Sequence, residues 1–344
     1  MEFRLAIEKR ERLTLSPFAT FADSSRGRAF PEEEDELRTC FQRDRDRIIH
    51  CKAFRRLKHK TQVFYSPEGD HYRTRLTHTL EVSQIARTMA AALALNENLT
   101  EAIAMGHDLG HTPFGHAGEA ALNTVVPGGF QHNVQSIRVV ESVERREGRQ
   151  APGLNLTWEV KDGILAHSWG WEPRATTLEG QLVMFADKIA YINHDFDDAV
   201  RAGIISESDV PKEVKVLLGA DRRKRLDFLV MDIIKESTGK GGILQSKEAE
   251  YGLGVMRDFM FERVYNNTNV AKEETERCKR LVIQLYLYYI NFPEQLAVDS
   301  GHEFKLSDRD SISQAAVDYV AGMTDRYAVK VFSNMYIPKP WQIY

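Results

Sequence analysis

A chain of 344 residues has room for one large domain or two smaller ones and for a sizeable core. Charged residues make up 28% and hydrophobic residues 42%, and a net charge of -4 argues against a protein held to nucleic acid by bulk charge, though not against a local basic pocket. Cys40, Cys51 and Cys278 form no CxxC pair, and this supports neither a disulfide framework nor a thiolate zinc site.

Residues 1–12 alternate charges without an apolar stretch, and no run approaches the roughly 18 apolar residues of a membrane span. A cytoplasmic protein with no membrane partner is expected. Helical periodicity dominates and alternating strands are scarce, so the fold class is all-α with little or no β. Residues 20–29 read as a loop. Pro31 followed by Glu32, Glu33 and Glu34 reads as a helix start. Helices are predicted over 44–60, over 76–95, and from a cap at Thr100 through Met105 and Asp108. The segment 61–75, with Pro67 and Gly69, reads as a loop or short hairpin. Further helices are predicted over 131–145, 157–167, 178–201, 211–219, 222–237, 247–265, 272–291 and 311–336. Breakers lie at 127–129, 152–153, 239–242 and Pro293. The division is an N-terminal arm with a first helix (1–42), a catalytic core (43–238) and a C-terminal helical region packed on it (239–344).

His78 shares a helix face with Val82, Ile85 and Met89, a pattern that on its own describes a core histidine. The pair His107-Asp108 ends the apolar run Ala102-Ile103-Ala104-Met105. Two adjacent ionisable residues are costly to bury there without a partner. Asp187 likewise follows Leu182-Val183-Met184-Phe185-Ala186 inside a predicted helix. A divalent cation satisfies all four side chains at once. Their mixed N/O donor set suits Mn²⁺, Fe²⁺, Co²⁺, Ni²⁺ or Zn²⁺, and Mg²⁺ less ideally. Four ligands leave positions open on an octahedral ion, as hydrolysis requires.

The order His78, His107-Asp108, Asp187 matches the H…HD…D signature of HD-domain phosphohydrolases. The surrounding text is more specific. Arg43-Asp44-Arg45-Asp46-Arg47-Ile48, Ala53-Phe54-Arg55-Arg56-Leu57, Arg73-Thr74-Arg75-Leu76-Thr77-His78, the stretch from Gly106 to Glu119, Phe185-Ala186-Asp187-Lys188-Ile189-Ala190-Tyr191 and the stretch from Tyr319 to Tyr327 resemble the bacterial deoxyguanosine triphosphate triphosphohydrolase family. The resemblance implies an HD-domain helical fold with additional C-terminal helices. It also implies metal-dependent hydrolysis of dGTP or several deoxynucleoside triphosphates, by attack at the α-phosphorus, to deoxynucleoside and triphosphate. The expected cofactor is one divalent ion per site, Mn²⁺ or Mg²⁺ first, with Zn²⁺, Ni²⁺, Co²⁺ or Fe²⁺ compatible.

Between His111 and Glu119, Pro113, Gly115 and Gly118 are expected to interrupt the helix and turn the chain back toward the metal pair. His116 and Glu119, three apart, read as a dyad. In it His116 lies nearest the scissile phosphate, as donor to the leaving group or as helper of the incoming water. By resemblance His111 and His132 contact the phosphates. With His116 they could instead hold a second metal, although the resemblance favours one. Asp187, Tyr191 and Asp195 share a helix face beside Lys188. The resemblance gives the phosphates to Lys188 and the deoxyribose to Tyr191 and Asp195. Gln62 and Arg75 match substrate-contacting positions, and the fixed guanidinium fork suits Arg75 to phosphate.

The basic run 43–60 describes a solvated helix face or a single-stranded nucleic-acid path, the second weakened by Asp44 and Asp46. The resemblance further implies a homo-oligomer, a hexamer in some members, and a second deoxynucleotide as activator. Other readings are a different HD nucleotidase or phosphodiesterase, or a non-catalytic nucleic-acid-binding HD protein. No GxxxxGK[ST] loop is present.

Overall fold

The structure is a computed structural model that describes residues 3–62, 73–146, 152–265, 269–301, 304–305 and 308–338. Among these residues it is all-α, with isolated β-bridges in place of any sheet. The helices in chain order begin with α1 (Phe3–Thr14), α2 (Cys40–His50), α3 (Lys52–Arg56), α4 (Arg75–Ala92) and α5 (Glu97–Gly106). Then come α6 (His116–Val125), α7 (His132–Arg138), α8 (Trp158–Ala166), α9 (Leu178–Arg201), α10 (Lys212–Leu217) and α11 (Arg222–Ser237). The last are α12 (Lys247–Met260), α13 (Asn269–Asn291), α14 (Pro293–Ser300), α15 (Arg309–Ala321) and α16 (Asp325–Tyr336).

The long amphipathic helices α9 and α11 fall where periodicity puts them. Helix boundaries decided by side-chain hydrogen bonds do not. Pro31 opens no helix. The next helix, α2, starts at Cys40, where Thr39 and Gln42 close a reciprocal capping box. The predicted helix over 44–60 is broken at Cys51, whose backbone is extended. There the Glu144 carboxylate accepts from the amides of Lys52 and Ala53 and restarts the chain as α3. Thr100 is not a cap. Asn96 accepts from the amides of Asn98 and Leu99, and Thr100 lies inside α5, donating its hydroxyl to the Asn96 carbonyl. The predicted helix over 311–336 is two helices, since Thr324 caps a new start by accepting from Tyr327 N. Gly118 lies inside α6 and does not interrupt it. Most of the predicted loop over 61–75 lies outside the described residues.

Two hydrophobic cores result. The larger is built from α2, α4, α5, α8 and α9 with α10 to α12, and holds Phe41, Ile48, Val82, Ile103, Leu182 and Met256 fully buried. The smaller joins α6 to α13, α15 and α16 through Phe114, Leu122, Val282, Tyr289 and Val320. The turn between α5 and α6 carries the chain from one core to the other. No helix among the described residues is long and apolar enough to cross a membrane.

The run after Pro31 serves a different purpose from helix initiation. The Glu32 carboxylate is almost completely buried and gathers Arg43, Arg47 and Arg146 together with the Asn155 side-chain amide. Burial pushes this carboxyl upward, but the bonds from Arg146, Asn155 and Arg47 outweigh it and hold Glu32 well below its ordinary 4.5. A carboxylate depressed in the folded state contributes stability that is present above the unfolded value and lost as pH falls. Glu32→Gln is therefore expected to cost on the order of 3 kcal/mol at pH 7, the scale of a broken buried ion pair. Denaturant titrations of both proteins should show that difference shrinking as pH drops below about 4.5.

Candidate active site

The site sits at the inner end of a cavity of about 580 Å³, a size that suits a nucleotide-scale ligand. Packing of α4 on α5 and α9 brings three separated stretches of sequence to one point. His78, His107 and Asp108 offer ligand atoms that all lie within 4.8 Å of one another, and so do His107, His167 and Asp187. His78 Nε2 is 2.9 Å from Asp187 Oδ1, and His107 Nε2 is 3.4 Å from Asp108 Oδ1 and 3.8 Å from Asp187 Oδ1. His107-Asp108 and Asp187 follow apolar runs, and His78 lies on the face of α4 that carries Val82, Ile85 and Met89, which is why helix packing draws them inward.

His107 states what the cluster is suited to hold. Its ring is fully buried, and its Nδ1 lies 2.7 Å from the Ala104 carbonyl, so that nitrogen carries the hydrogen. The Nε2 lone pair is left facing two carboxylates and has no hydrogen-bond partner among the described residues. A backbone carbonyl fixing one ring nitrogen while the other faces an acid-rich pocket is the arrangement that a metal-ligating histidine uses. The charges agree. Burial pushes both acids upward, but the hydrogen bond with His78 holds Asp187 below its ordinary value, and the Arg75 guanidinium does the same for Asp108. Burial lowers His78, yet its hydrogen bond to Asp187 prevails and raises it. Two carboxylates thus demand a positive partner at this point, and a divalent cation fits the donor set.

Around this centre lies a histidine-rich wall. Asp108 Oδ1 is 3.1 Å from His111 Nε2, and Arg75 Nη1 donates to Asp108 Oδ2 at 3.0 Å. The other side of the Arg75 fork, Nε and Nη2, is buried with no hydrogen-bond partner among the described residues. His111 stacks on His132 with ring centroids 3.9 Å apart. Burial, with Arg75 and His132 nearby, pushes His111 well below its ordinary range.

Glu119 does not pair chiefly with His116. Its Oε1 accepts from the His132 amide at 2.9 Å and lies 2.9 Å from His132 Nδ1, whereas His116 Nδ1 is 3.7 Å from Oε2. The expected His116–Glu119 dyad is therefore a Glu119–His132 pair, with His116 mostly exposed at the cavity mouth, where its ring meets Tyr191 edge-on. The reason is geometric. Gly115 begins α6 with its side chains directed outward at His116, while α7 starts opposite Glu119. Burial raises the Glu119 carboxyl, but its hydrogen bonds with His116 and His132 hold it well below its ordinary value.

His167 went unnoticed in the sequence, although it repeats the pattern of His107. It follows an apolar helical run and its Nδ1 is 2.7 Å from the Ile164 carbonyl three residues back. Its Nε2 lies 3.2 Å from His132 Nε2. Burial, with His107 and His132 nearby, pushes His167 down to about 3.

On α9, Lys188 and Tyr191 line the cavity with Met184 and Ile192. The Lys188 ammonium sits 3.1 Å from the centre of the Trp169 ring, held at the rim rather than at the inner end. Burial pushes it down to about 8. Asp195 is buried one turn further on and is not among the lining side chains, whereas Gln62 is. The rim also contains Ser168, Arg257, Asp258 and Phe261, which no sequence motif singled out.

Comparison with known proteins agrees with this geometry. The family model of the HD domain matches residues 75–192, and that of the phosphohydrolase-associated domain matches residues 243–334. A deoxyguanosinetriphosphate triphosphohydrolase-like protein of Caldanaerobacter subterraneus subsp. tengcongensis is 54% identical, covering 99% of this chain and 98% of its own. The chain belongs to this family. Proteins of the same description from Clostridium tetani and Clostridium perfringens strain 13 are 45% and 48% identical, each matched over 98% of this chain and over 97% and 99% of their own. A solved phosphohydrolase from Bacteroides thetaiotaomicron aligns at TM-score 0.50 and 15% identity over 94% of this chain and 73% of that one, a likeness of fold alone. The protein is thus an HD-domain phosphohydrolase with a His/Asp cluster able to hold a divalent metal.

In this phosphohydrolase, close approach at Gly110 sets the histidine wall. A Cβ there would lie 2.2 Å from Ser136 N and 2.3 Å from the His132 carbonyl, so only glycine lets α7 pack this near. Gly110→Ala should push α7 outward and separate His132 from His111. The expected result is a loss of phosphohydrolase turnover of about 100-fold, the scale of an ångström-sized misplacement. Steady-state kinetics checks the loss and a thermal melt reports the accompanying destabilisation.

Proposed function

We propose that the protein hydrolyses deoxynucleoside triphosphates at the α-phosphorus, releasing deoxynucleoside and inorganic triphosphate, with one divalent ion held by His78, His107, Asp108 and Asp187. The observation that carries this reading is the unpartnered, lone-pair-bearing Nε2 of His107 between the buried Asp108 carboxylate and the half-buried Asp187 carboxylate, at the foot of a cavity walled by Arg75, His111 and His132. Relatives matched over nearly their whole length are described as deoxyguanosinetriphosphate triphosphohydrolase-like, which supports a nucleoside triphosphate as substrate.

A bound divalent cation, Mn²⁺ or Mg²⁺ first, supplies Lewis acidity and charge neutralisation at the α-phosphate. The protein does the rest. Arg75 presents Nε and Nη2 to phosphate oxygens while its Nη1 stays on Asp108, so one guanidinium aligns a ligand carboxylate and the substrate together. His132, oriented by Glu119, presents its ring edge to the phosphates beside His111. His116, mostly exposed at the mouth, donates a proton to the departing 5′-oxygen or takes one from the incoming water. Tyr191 closes the sugar side with Gln62, and Asp195 supports that side from behind α9. Lys188, stacked on Trp169, meets the outer phosphates as the triphosphate extends toward the rim. Cytoplasmic location, assembly into a homo-oligomer and activation by a second deoxynucleotide belong to the same proposal.

Product analysis on all four deoxynucleoside triphosphates and ATP with Mn²⁺ tests it. Triphosphate and deoxynucleoside are expected from at least one deoxynucleotide, and pyrophosphate with monophosphate would refute the cleavage position. Asp187→Ala is expected to lose Mn²⁺ binding and turnover together. His116→Ala should keep Mn²⁺ binding by calorimetry while losing about 100-fold or more in kcat, the typical scale for a general acid or base. Near-normal turnover of the His116 variant would remove that residue from the mechanism.

A further inference from the structure

The turn that delivers His116 is held from outside the HD domain. It runs from His111 to Gly115, and two consecutive residues, Phe114 (φ +63°) and Gly115 (φ +55°), adopt left-handed backbone. Gly115 meets the second need as well, because a Cβ there would stand 2.9 Å from Arg75 Nη2. Phenylalanine has no such excuse. A bulky residue in this region persists only where its surroundings over-determine it.

Asp325 provides that determination. It is the first residue of α16, within the phosphohydrolase-associated region, and is buried at 3% exposure. Its carboxylate does not cap its own helix. Oδ1 accepts from the Phe114 amide at 2.9 Å, and Oδ2 accepts from the amide and the hydroxyl of Thr61 at 2.9 and 2.8 Å. Two neighbouring contacts reinforce the joint. The buried Lys60 ammonium donates to the carbonyls of His111 and Ala321, and Arg56 donates to the Gly322 carbonyl. The strand of chain from Lys60 to Gln62 is therefore clamped between the α15–α16 junction and the active-site turn. Arg75 N donates to the Lys60 carbonyl at 3.0 Å, so the clamp also reaches the phosphate-facing arginine.

We infer that Asp325 is a positioning residue for hydrolysis: by bonding Phe114 and Thr61 at once, it fixes the strained turn that sets His116 and Gln62 against Arg75. Helices α15 and α16 thus complete the active site of the HD domain from outside the cavity, with none of their side chains among those that line it. The inference rests on the phosphate-ester hydrolysis proposed above.

The test uses the full chain. Asp325→Asn and Asp325→Ala remove one or all acceptors, Thr61→Val removes the hydroxyl donor, and Thr61→Ser restores it. For Asp325→Asn, kcat on the best deoxynucleotide is expected to fall by about 100-fold, as for an ångström-scale misplacement of a reacting group. Mn²⁺ affinity by calorimetry should stay at the wild-type level, because Asp325 bonds none of His78, His107, Asp108 and Asp187, and Arg75 keeps its own bond to Asp108. Thr61→Val should lose part of kcat and Thr61→Ser should regain it, an outcome that does not depend on Asp325→Ala folding. Amide exchange across residues 112–116 should accelerate in the Asp325 variants, with exchange in α4 and α9 unchanged. Wild-type kcat in Asp325→Asn overturns the inference, and so does a kcat loss that merely follows loss of Mn²⁺ and of the melting transition. A wild-type enzyme inert toward every deoxynucleotide sinks the substrate reading instead, while the exchange comparison still decides whether Asp325 holds the turn.

Discussion

The interaction on which the rest of the structure depends is the enclosure of two carboxylates, the buried Asp108 and the half-buried Asp187, against imidazoles whose opposite nitrogens are already committed or enclosed. An acid this deep must find a countercharge or give up its charge. In the protein alone, His78 meets that demand for Asp187 and Arg75 meets it for Asp108. Neither solution reaches the His107 Nε2, which keeps its lone pair pointed into the gap. The cluster is satisfied as a whole only when something positive with several coordination positions enters it. Burial of charge therefore preorganises a cation site, and α4, α5 and α9 must pack in one register to maintain it.

The same burial divides the site into two electrostatic zones. At the inner end, His111 and His167 are pushed toward neutrality, so they offer ring nitrogens without adding charge beside the cation position. Positive charge toward the cavity comes from Arg257 at the rim and from two cations set apart from each other, Arg75 at the foot and Lys188 at the rim. Each is held by a partner that leaves a face exposed: a carboxylate on one edge of the guanidinium, and an aromatic ring beneath the ammonium. A ligand with phosphates in a row matches that spacing of charge better than a single phosphate does.

Helices whose apolar stripe runs unbroken, such as α9 and α11, are legible in the sequence because burial alone decides them. So are the four candidate metal residues, since His107-Asp108 and Asp187 close apolar runs and His78 shares a face with Val82, Ile85 and Met89. What sequence reading misses is decided by hydrogen bonds between distant segments. Glu144 restarts the chain at Lys52 from some ninety positions away, and no local pattern at Cys51 announces it. The run of acids after Pro31 has the composition of a helix start, yet Glu32 gains more from three arginines than a helix end could give it. His116 and Glu119 have the right spacing for a helical pair, but α7 brings His132 closer to the carboxylate, and spacing within one helix carries no information about a second. His167 could have been found, because an apolar run closed by histidine occurs at both His107 and His167.

Arg75 shows why these contacts cannot be read one at a time. Its guanidinium steadies Asp108, its backbone amide is tied to Lys60, and its Nη2 lies so near Gly115 that the turn has no room for a side chain. Lys60 in turn holds the carbonyls of His111 and Ala321. A displacement of the C-terminal helices therefore reaches Arg75 through Lys60, without passing through either hydrophobic core. Hydrogen bonds of this kind are directional, so they transmit position where apolar packing would transmit only pressure. The C-terminal region and the HD domain are joined at residues beside the cavity, so the placement of Arg75 and of the turn after His111 depends on α15 and α16 as well as on the helices that carry the His/Asp cluster.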